Sequence, residues 1–369
     1  MKKIIITYKF KLNPSKQDIA LLNRHLGCVR LVYNMFLDRM KEQRLQTDIC
    51  DGFYAQCREL TLLKKEDAFY FFNEVNSQSL HAALRVLRIA DENHEEGRAG
   101  APRHKSRKKK NSFIVPQRVY VDGNLLFIPK FKEGIRLIKH RDIKGEIKRC
   151  IVTRTTTGDF FVSIVCEKGH EPLKSTGKKV GLDMGIKNLV IASTGEKFEN
   201  NSPTEKYARE LAHAQRHLSR KQCGSMSWER QRLKVVAIHK KIANSRRDFS
   251  HKLSTLIIKS YDVICVEDLI VAGLLRNHAL ARRIADAAWG MLLRLLEQKA
   301  EWNNKQIVRV GRFFPSSKTC HVCGDINQGM KLSERQWTCK NGHKLDRDIN
   351  AAINILMEGN RIIGAGLSE

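Results

Sequence analysis

The sequence predicts a mixed α/β, multidomain fold, and three observations carry that prediction. A long helical pattern follows a single strand in the N-terminal third. Short strand patterns with turn punctuation fill the middle. In the C-terminal half, apolar strands ending in single acids alternate with long helices, and a cysteine knuckle interrupts them. The 369 residues suffice for two or three domains with buried cores. A hydrophobic share of 42% argues against global disorder. No internal repeat is visible.

The opening "IIITYKFKL" has the composition of a strand. "NPSKQD" stops it and caps a helix, with Ser15 three residues before Asp18. Ile19, Leu22, Leu26, Val29, Tyr33, Phe36 and Met40 then recur every three or four residues, an amphipathic helix. A second helix is expected around Ser77 to Ala90, with Leu80, Leu84 and Leu87 on one face. "GRAGAPRHKSRKKKNS" breaks the pattern with six Lys or Arg between Arg103 and Lys110. It is either a solvated loop or a phosphate-binding one, with Arg103, Lys105 and Lys108 as the contacts. "RVYV", "LLFIP", "IRLI", "IKRCIVTR" and "FFVSIVCE" follow as short strands of a small barrel or sandwich.

From Lys178 two buried-looking strands flank a glycine turn in "VGLDMGIKNLVIAS". Tyr207, Leu211, Ala214 and Leu218 open a helical stretch running to about Ser260. Eight Lys or Arg lie at helical spacing between Arg230 and Lys252, among them Lys240, Arg246 and Arg247. Such a face is often only solvated, but the composition favours phosphate contact. "YDVICVEDL" is a strand ending in acids. A helix from about His278 to Asn303 and a strand "QIVRVG" precede the cysteines.

Charge points to the partner. Lys and Arg number 67 against 39 Asp and Glu, a net +28. A basic excess spread along a whole chain predicts a polyanion, with nucleic acid the default. An anionic membrane would instead favour one amphipathic helix with a charge cluster. The apolar run in "MKKIIITYKFKLNPS" ends too early for a secretory signal, and none approaches the roughly 20 residues that span a bilayer. Of the ten cysteines, seven are scattered, so a secreted disulfide framework is disfavoured. A cytoplasmic location, with action on the nucleoid, fits.

Three acids sit where acids are costly. Asp183 lies inside the apolar strand "VGLDMG" and Glu267 ends "ICVEDL". Asp348 starts "DINAAINIL", whose Ile349, Ala352, Ile353 and Leu356 mark a packed helix. Asp346, two residues earlier, has the place of an N-cap. A buried carboxylate is paired or binds a cation. If the three converge, they suit two Mg²⁺ ions, which stabilise attacking and leaving oxygens in phosphodiester hydrolysis. The bland alternative is three unrelated capped or salt-bridged acids.

The order of these motifs resembles the TnpB family, RNA-guided nucleases encoded by bacterial insertion sequences and related to type V CRISPR effectors. "YKFKLNPSKQDIALLNRHLGCVRLVYNMFL" is similar to the family's opening, and "VGLDMGIKNLVIASTGE" to its first RuvC motif. "ICVEDL" with "RNHALARRIADAAWG" resembles the second. "FFPSSKTCHVCG", "LSERQWTC" and "LDRDINAAINIL" resemble the zinc ribbon and third motif. The resemblance implies an RNase H-like (RuvC) catalytic domain over 177–315 and 344–369, with Asp183, Glu267 and Asp348 as catalytic Mg²⁺ ligands. It implies a zinc ribbon over 316–343, a wedge-like β-barrel from 1–12 and 113–176, and a helical recognition region over 13–112. Asn76, Ser77 and Gln78 fall in the region that reads a motif beside the target. The implied activity is RNA-guided, Mg²⁺-dependent cleavage of double-stranded DNA, by a monomer carrying a guide RNA from the element's end, with no membrane role.

Two other activities are compatible with parts of this pattern. An RNA-guided DNA-binding repressor of the same fold would usually show substituted RuvC acids, and all three are present. A transposase in the strict sense would need a tyrosine or HUH-type nucleophile, whereas His213 and His217 have the pattern of a solvated helix face.

The ribbon departs from the family. Zinc ribbons want four ligands. Cys320 and Cys323 form a C-x2-C knuckle and Cys339 starts the second, but Asn341 stands just before Gly342 where a fourth cysteine is expected. Asn is a poor zinc ligand. His343 is the nearest replacement and gives a Cys3His site for one Zn²⁺; the other possibility is a weakened or empty ribbon.

Overall fold

The computed structural model describes residues 2–47, 50–107, 109–269, 273, 281–331 and 334–366. Its contacts divide into two compact units, residues 3–170 and 171–369.

The first unit opens with β1 (Lys2–Leu12). Ser15 and Asp18 then form the expected capping box. The Ser15 amide donates to Asp18 Oδ2 at 2.9 Å, and the Asp18 amide donates to Ser15 Oγ at 3.2 Å. Helix α1 (Lys16–Thr47) follows. Its stripe from Leu22 to Met40 is buried as periodicity predicts, but Ile19 remains 38% exposed. Helix α2 (Phe53–Leu63) and a 3-10 stretch (Asp67–Glu74) precede α3 (Ser77–Glu95). Both were missed, because each is too short to establish a period.

Six strands complete this unit: β2 (Asn111–Val115), β3 (Tyr120–Asp122), β4 (Leu125–Ile128), β5 (Phe131–Ile138), β6 (Glu146–Arg154) and β7 (Phe160–His170). With β1 they form a seven-stranded sheet in the order β2-β6-β7-β1-β5-β4-β3. Alternate residues such as Phe10 and Leu12, Phe113 and Val115, and Val162 and Ile164 are buried in one core with α1 and α3. The sequence reading passed over β2 because its Asn111 and Ser112 close a basic run. At the "RVYV" strand, Arg118 instead turns with φ 57°.

The second unit builds on β8 (Lys179–Asp183), β9 (Asn188–Ala192), β10 (Lys197–Glu199), β11 (Val263–Glu267) and β12 (Gln306–Val310). Their order is β10-β9-β8-β11-β12. The first three form an antiparallel meander, and β11 runs parallel to both β8 and β12. After the short α4 (Pro203–Lys206), the long helical stretch expected from Tyr207 is two helices, α5 (Ala208–Ser219) and α6 (Met226–Ser260). Between the last two, Gly224 takes φ 85° and Ser225 Oγ caps α6 by accepting from the Trp228 amide at 3.1 Å. The helix expected from His278 begins outside the described residues. Its remainder splits at Ala288 (φ 48°) into α7 (Ala281–Ala287) and α8 (Trp289–Asn303). A hairpin of β13 (Gln336–Thr338) and β14 (Lys344–Asp346) leads directly into α9 (Arg347–Gly366).

Both faces of the second sheet are covered, which explains its near-continuous apolar runs. Leu253, Ile257, Leu292 and Leu296 of α6 and α8 pack with Val180, Leu182, Ile264 and Val266. Cys265, Val308 and Val310 pack with Ile355 of α9. Helix α9 lies close enough that glycine is required beneath it. A Cβ at Gly181 would stand 2.1 Å from the Ala352 carbonyl oxygen, and one at Gly359 would stand 2.2 Å from Cys265 Sγ.

Gly181→Ala is therefore expected to lower the stability of the protein by about 2 kcal/mol, because backbone must yield to a methyl group. Urea unfolding would read it as a lower midpoint at unchanged slope.

Candidate functional site

The two strand acids meet because β8 and β11 are parallel neighbours in register, with Leu182 opposite Val266. Asp183 and Glu267 come next in each strand, at the same carboxyl edge of the sheet. Helix α9 packs across β8 and brings Asp348, in its first turn, to that edge. Asp346 caps the helix, its Oδ1 accepting from the amides of Asp348 (3.0 Å) and Ile349 (3.1 Å). Asp183, Glu267 and Asp348 thus line one cleft of about 470 Å³.

The cleft is electrostatically tense. Burial pushes the Asp183 carboxyl up to about 7, and the charges of Glu267 and Asp348 add to it, against Arg347 and the Met184 amide. Asp348 is held by two guanidinium groups. Arg335 Nη1 reaches both of its oxygens at 3.0 and 3.1 Å, and Arg347 Nε and Nη2 reach Oδ1 at 3.2 Å. Glu267 Oε1 accepts from Ser316 Oγ at 2.6 Å. Lys197 pairs with Asp346 at 2.7 Å, and Lys318 and Lys331 complete a basic rim. An all-oxygen donor set that repels itself fits hard divalent cations such as Mg²⁺. Sequence reasoning found the acids but missed Ser316, Arg335 and the lysines. The one signal for Ser316 was its place in "FFPSSKTC", just ahead of the knuckle.

Cys320, Cys323, Cys339 and His343 form a second centre, with one ligand atom from each lying within 4.8 Å of the others. Cys323 Sγ and Cys339 Sγ are 3.7 Å apart. Zinc–sulfur bonds of about 2.3 Å at tetrahedral angles give a similar edge. His343 Nδ1 stands 3.1 Å from Cys339 Sγ and 3.8 Å from Cys320 Sγ. Gly342, at φ 85°, makes the turn that brings His343 back onto Cys339. The Asp325 amide lowers the Cys323 thiol to about 6, helped by a hydrogen bond from the Asn341 side chain. The Cys3His set is consistent with zinc.

The expected nucleic-acid residues scatter among several roles. Asn76 is buried and caps α3, its Oδ1 accepting from the Gln78 amide at 3.2 Å, while its own amide donates to His25 Nε2 at 3.0 Å. Burial lowers His25 to about 4, so it is neutral and accepts that bond. Ser77 Oγ accepts from Lys64, and Gln78 is exposed. These three line a cleft of about 430 Å³ with Lys64, Arg118 and Lys130. Lys105 lies over the Tyr33 ring at 3.8 Å, its backbone held at both ends by Asn34, so its ammonium is committed to packing. Arg246 is committed to Asp286 and Thr204. Arg103, Arg230, Lys240 and Arg247 are exposed. Lys108 lies outside the described residues. His213 and His217 lie 4.4 Å apart on α5 with their rings tilted at 51°.

An α/β chain with three acids at one sheet edge and a Cys3His finger beside them has the layout of a Cas12f1-like fold with its zinc-finger region. A solved structure, a Cas12f1–sgRNA–target DNA complex, aligns over 96% of this chain and 98% of its own with a TM-score of 0.61 at 12% identity, a likeness of fold. Residues 163–278 match the OrfB_IS605 family, described as "Probable transposase", and 289–355 match the Cas12f1-like TNB domain. Residues 1–48 match a profile described as a helix-turn-helix domain, where the structure has one strand and one 32-residue helix. A "Putative RNA-guided DNA endonuclease" of Streptomyces pristinaespiralis is 38% identical over 97% of this chain and 90% of its own length. Another of that description, InsQ of Escherichia coli K12, is 30% identical over 99% and 94%. The chain belongs to the OrfB_IS605/TnpB family.

Two outcomes are expected at these centres. Purified protein should hold about one zinc per chain by elemental analysis, and His343→Ala should lose most of it. Substoichiometric zinc that ignores His343→Ala would remove the Cys3His assignment. Without divalent metal, Asp183→Asn should stabilise the fold by about 1–2 kcal/mol at pH 7. The sign follows from a folded-state carboxyl raised above its unfolded value. The native acid costs stability as pH rises from about 4 towards 7, so the variant's gain in melting temperature should fade as pH falls to 4.

Proposed function

We propose that this chain is an RNA-guided, Mg²⁺-dependent DNA endonuclease of an insertion sequence. The observation that carries the reading is the convergence of Asp183, Glu267 and Asp348 on one cleft. The names of the relatives and the guide RNA and target DNA in the solved complex support the same partners. The five-stranded unit corresponds to the RNase H-like (RuvC) domain, and the Cys3His finger to its zinc ribbon. The seven-stranded sheet is the wedge-like barrel, with the helices after β1 as the recognition region.

In this reading the three acids hold two Mg²⁺ ions. When bound, the ions would lower the pKa of a water and offset charge on the phosphodiester. The residues themselves prepare the site. Asp183, whose carboxyl burial raises, would give up its proton to hold a cation. Arg335 and Arg347 now neutralise Asp348, and release of its carboxylate leaves Arg335, exposed at the rim, free to meet a phosphate oxygen. Lys318 and Lys331 keep the strand's backbone at the cleft through charge alone, without reading sequence. Guide pairing then sets the target.

The test is plasmid cleavage by the ribonucleoprotein, expressed with its native downstream flank. A guide-matched target beside a randomised motif, supplied with Mg²⁺, should lose specific motifs with the wild type. Asp183→Ala should cut at least a thousandfold more slowly, as expected when a ligand of the reacting centre is removed. Motif-specific binding without cleavage by the wild type would reject the nuclease reading in favour of a DNA-binding repressor.

A further inference from the structure

The segment between β12 and the zinc finger joins the two centres. Ser316 is only 6% exposed, and its hydroxyl donates to Glu267 Oε1 at 2.6 Å, the length of a charge-assisted bond. Its backbone is clamped by two amides of α9. Asn354 Nδ2 donates to the Ser316 and Thr319 carbonyls at 2.7 and 2.6 Å, and Asn350 Nδ2 donates to Thr319 at 2.7 Å and Ser316 at 3.4 Å. Asn350 Oδ1 accepts from the amide and Nδ1 of His321, the residue after the first zinc cysteine. Both asparagines are nearly inaccessible, at 1% and 4% exposure. Burying two amides on a helix whose neighbouring buried positions are Ala351, Ala352 and Ile355 is costly unless they find partners, and both Nδ2 groups and Asn350 Oδ1 do.

We infer that Ser316 is a positioning residue for Glu267, latched by Asn350 and Asn354 to the helix that carries Asp348, so that one buried segment sets the spacing of two carboxylates. The inference rests on the reading of those carboxylates as metal ligands. A glutamate at a strand end has three side-chain torsions, and a bond to Oε1 restricts them while leaving Oε2 to face the cleft. The asparagines hold the hydroxyl in place against the element on which Asp348 sits, and Asn350 extends the same contact to the zinc finger.

The probe is Mn²⁺, with bound and free ion separated by electron paramagnetic resonance on the full-length ribonucleoprotein. Ser316→Ala should weaken Mn²⁺ binding roughly 10- to 100-fold, as loss of a ligand-orienting bond does. Zinc content should stay unchanged, and cleavage lost at limiting Mn²⁺ should return at saturating Mn²⁺. Ser316→Thr, which keeps the hydroxyl, should restore most of the affinity. Asn354→Ala should weaken Mn²⁺ binding in the same direction with Ser316 intact. Wild-type binding that is lost in Asp183→Asn but unaltered in Ser316→Ala would overturn this inference alone. Wild-type binding that ignores Asp183→Asn would overturn the metal reading and the inference with it. A loss in Ser316→Ala that follows a fall in melting temperature, with no recovery in Ser316→Thr, would reduce Ser316 to a packing role.

Discussion

Three carboxylates crowded at one sheet edge form the constraint around which the second unit is arranged. Like charges at close range in a partly dehydrated cleft oppose folding unless something offsets them. Burial raises the Asp183 carboxyl to about 7, and the charges of Glu267 and Asp348 add to it. The parallel register of β8 and β11 imposes the crowding, since it leaves Asp183 and Glu267 no alternative edge. Around them the chain supplies Arg335 and Arg347 to Asp348, a hydroxyl to Glu267 and a lysine to Asp346. These groups offset the negative charge of the cleft only in part.

The zinc finger takes on a structural meaning in that setting. It lies between Glu267 and Asp348 in the chain, and its first cysteine follows the segment that touches Glu267. Its last strand runs without a break into the helix bearing Asp348. Order in the finger and placement of two acids are therefore one packing problem. Gly181 and Gly359 belong to it as well, because only a helix lying that close to the sheet brings its first turn to the carboxyl edge.

The parts of this design that were legible in the sequence share a physical trait. Asp183 and Glu267 stand out because acids interrupt strands that are otherwise apolar, and such strands must be buried. The zinc cysteines stand out by spacing, and His343 by being the nearest donor left. Positively charged residues carry no comparable signal. Lys105 and Arg246 looked like phosphate contacts until Tyr33 and Asp286 took them up, and those partners lie far away in sequence. Asn76 looked like a base reader and is a buried helix cap. Ser316 was hidden for the converse reason: a hydroxyl has no patterning until the strand acid opposite it is known. Breaks at Gly224 and Ala288 escaped because apolar spacing runs across both sides of each turn.

Replacement of a fourth cysteine by His343 changes more than ligand identity. Four thiolates around Zn²⁺ leave a net charge of about −2, whereas three thiolates and a neutral imidazole leave about −1. That difference arises in a finger that lies in the chain between Glu267 and Asp348, so it bears on an already acidic cleft. Asn341 stands in the chain where the fourth cysteine is expected, and it adds no charge. A less anionic finger adds less to the repulsion among the three acids, which Arg335 and Arg347 offset at Asp348.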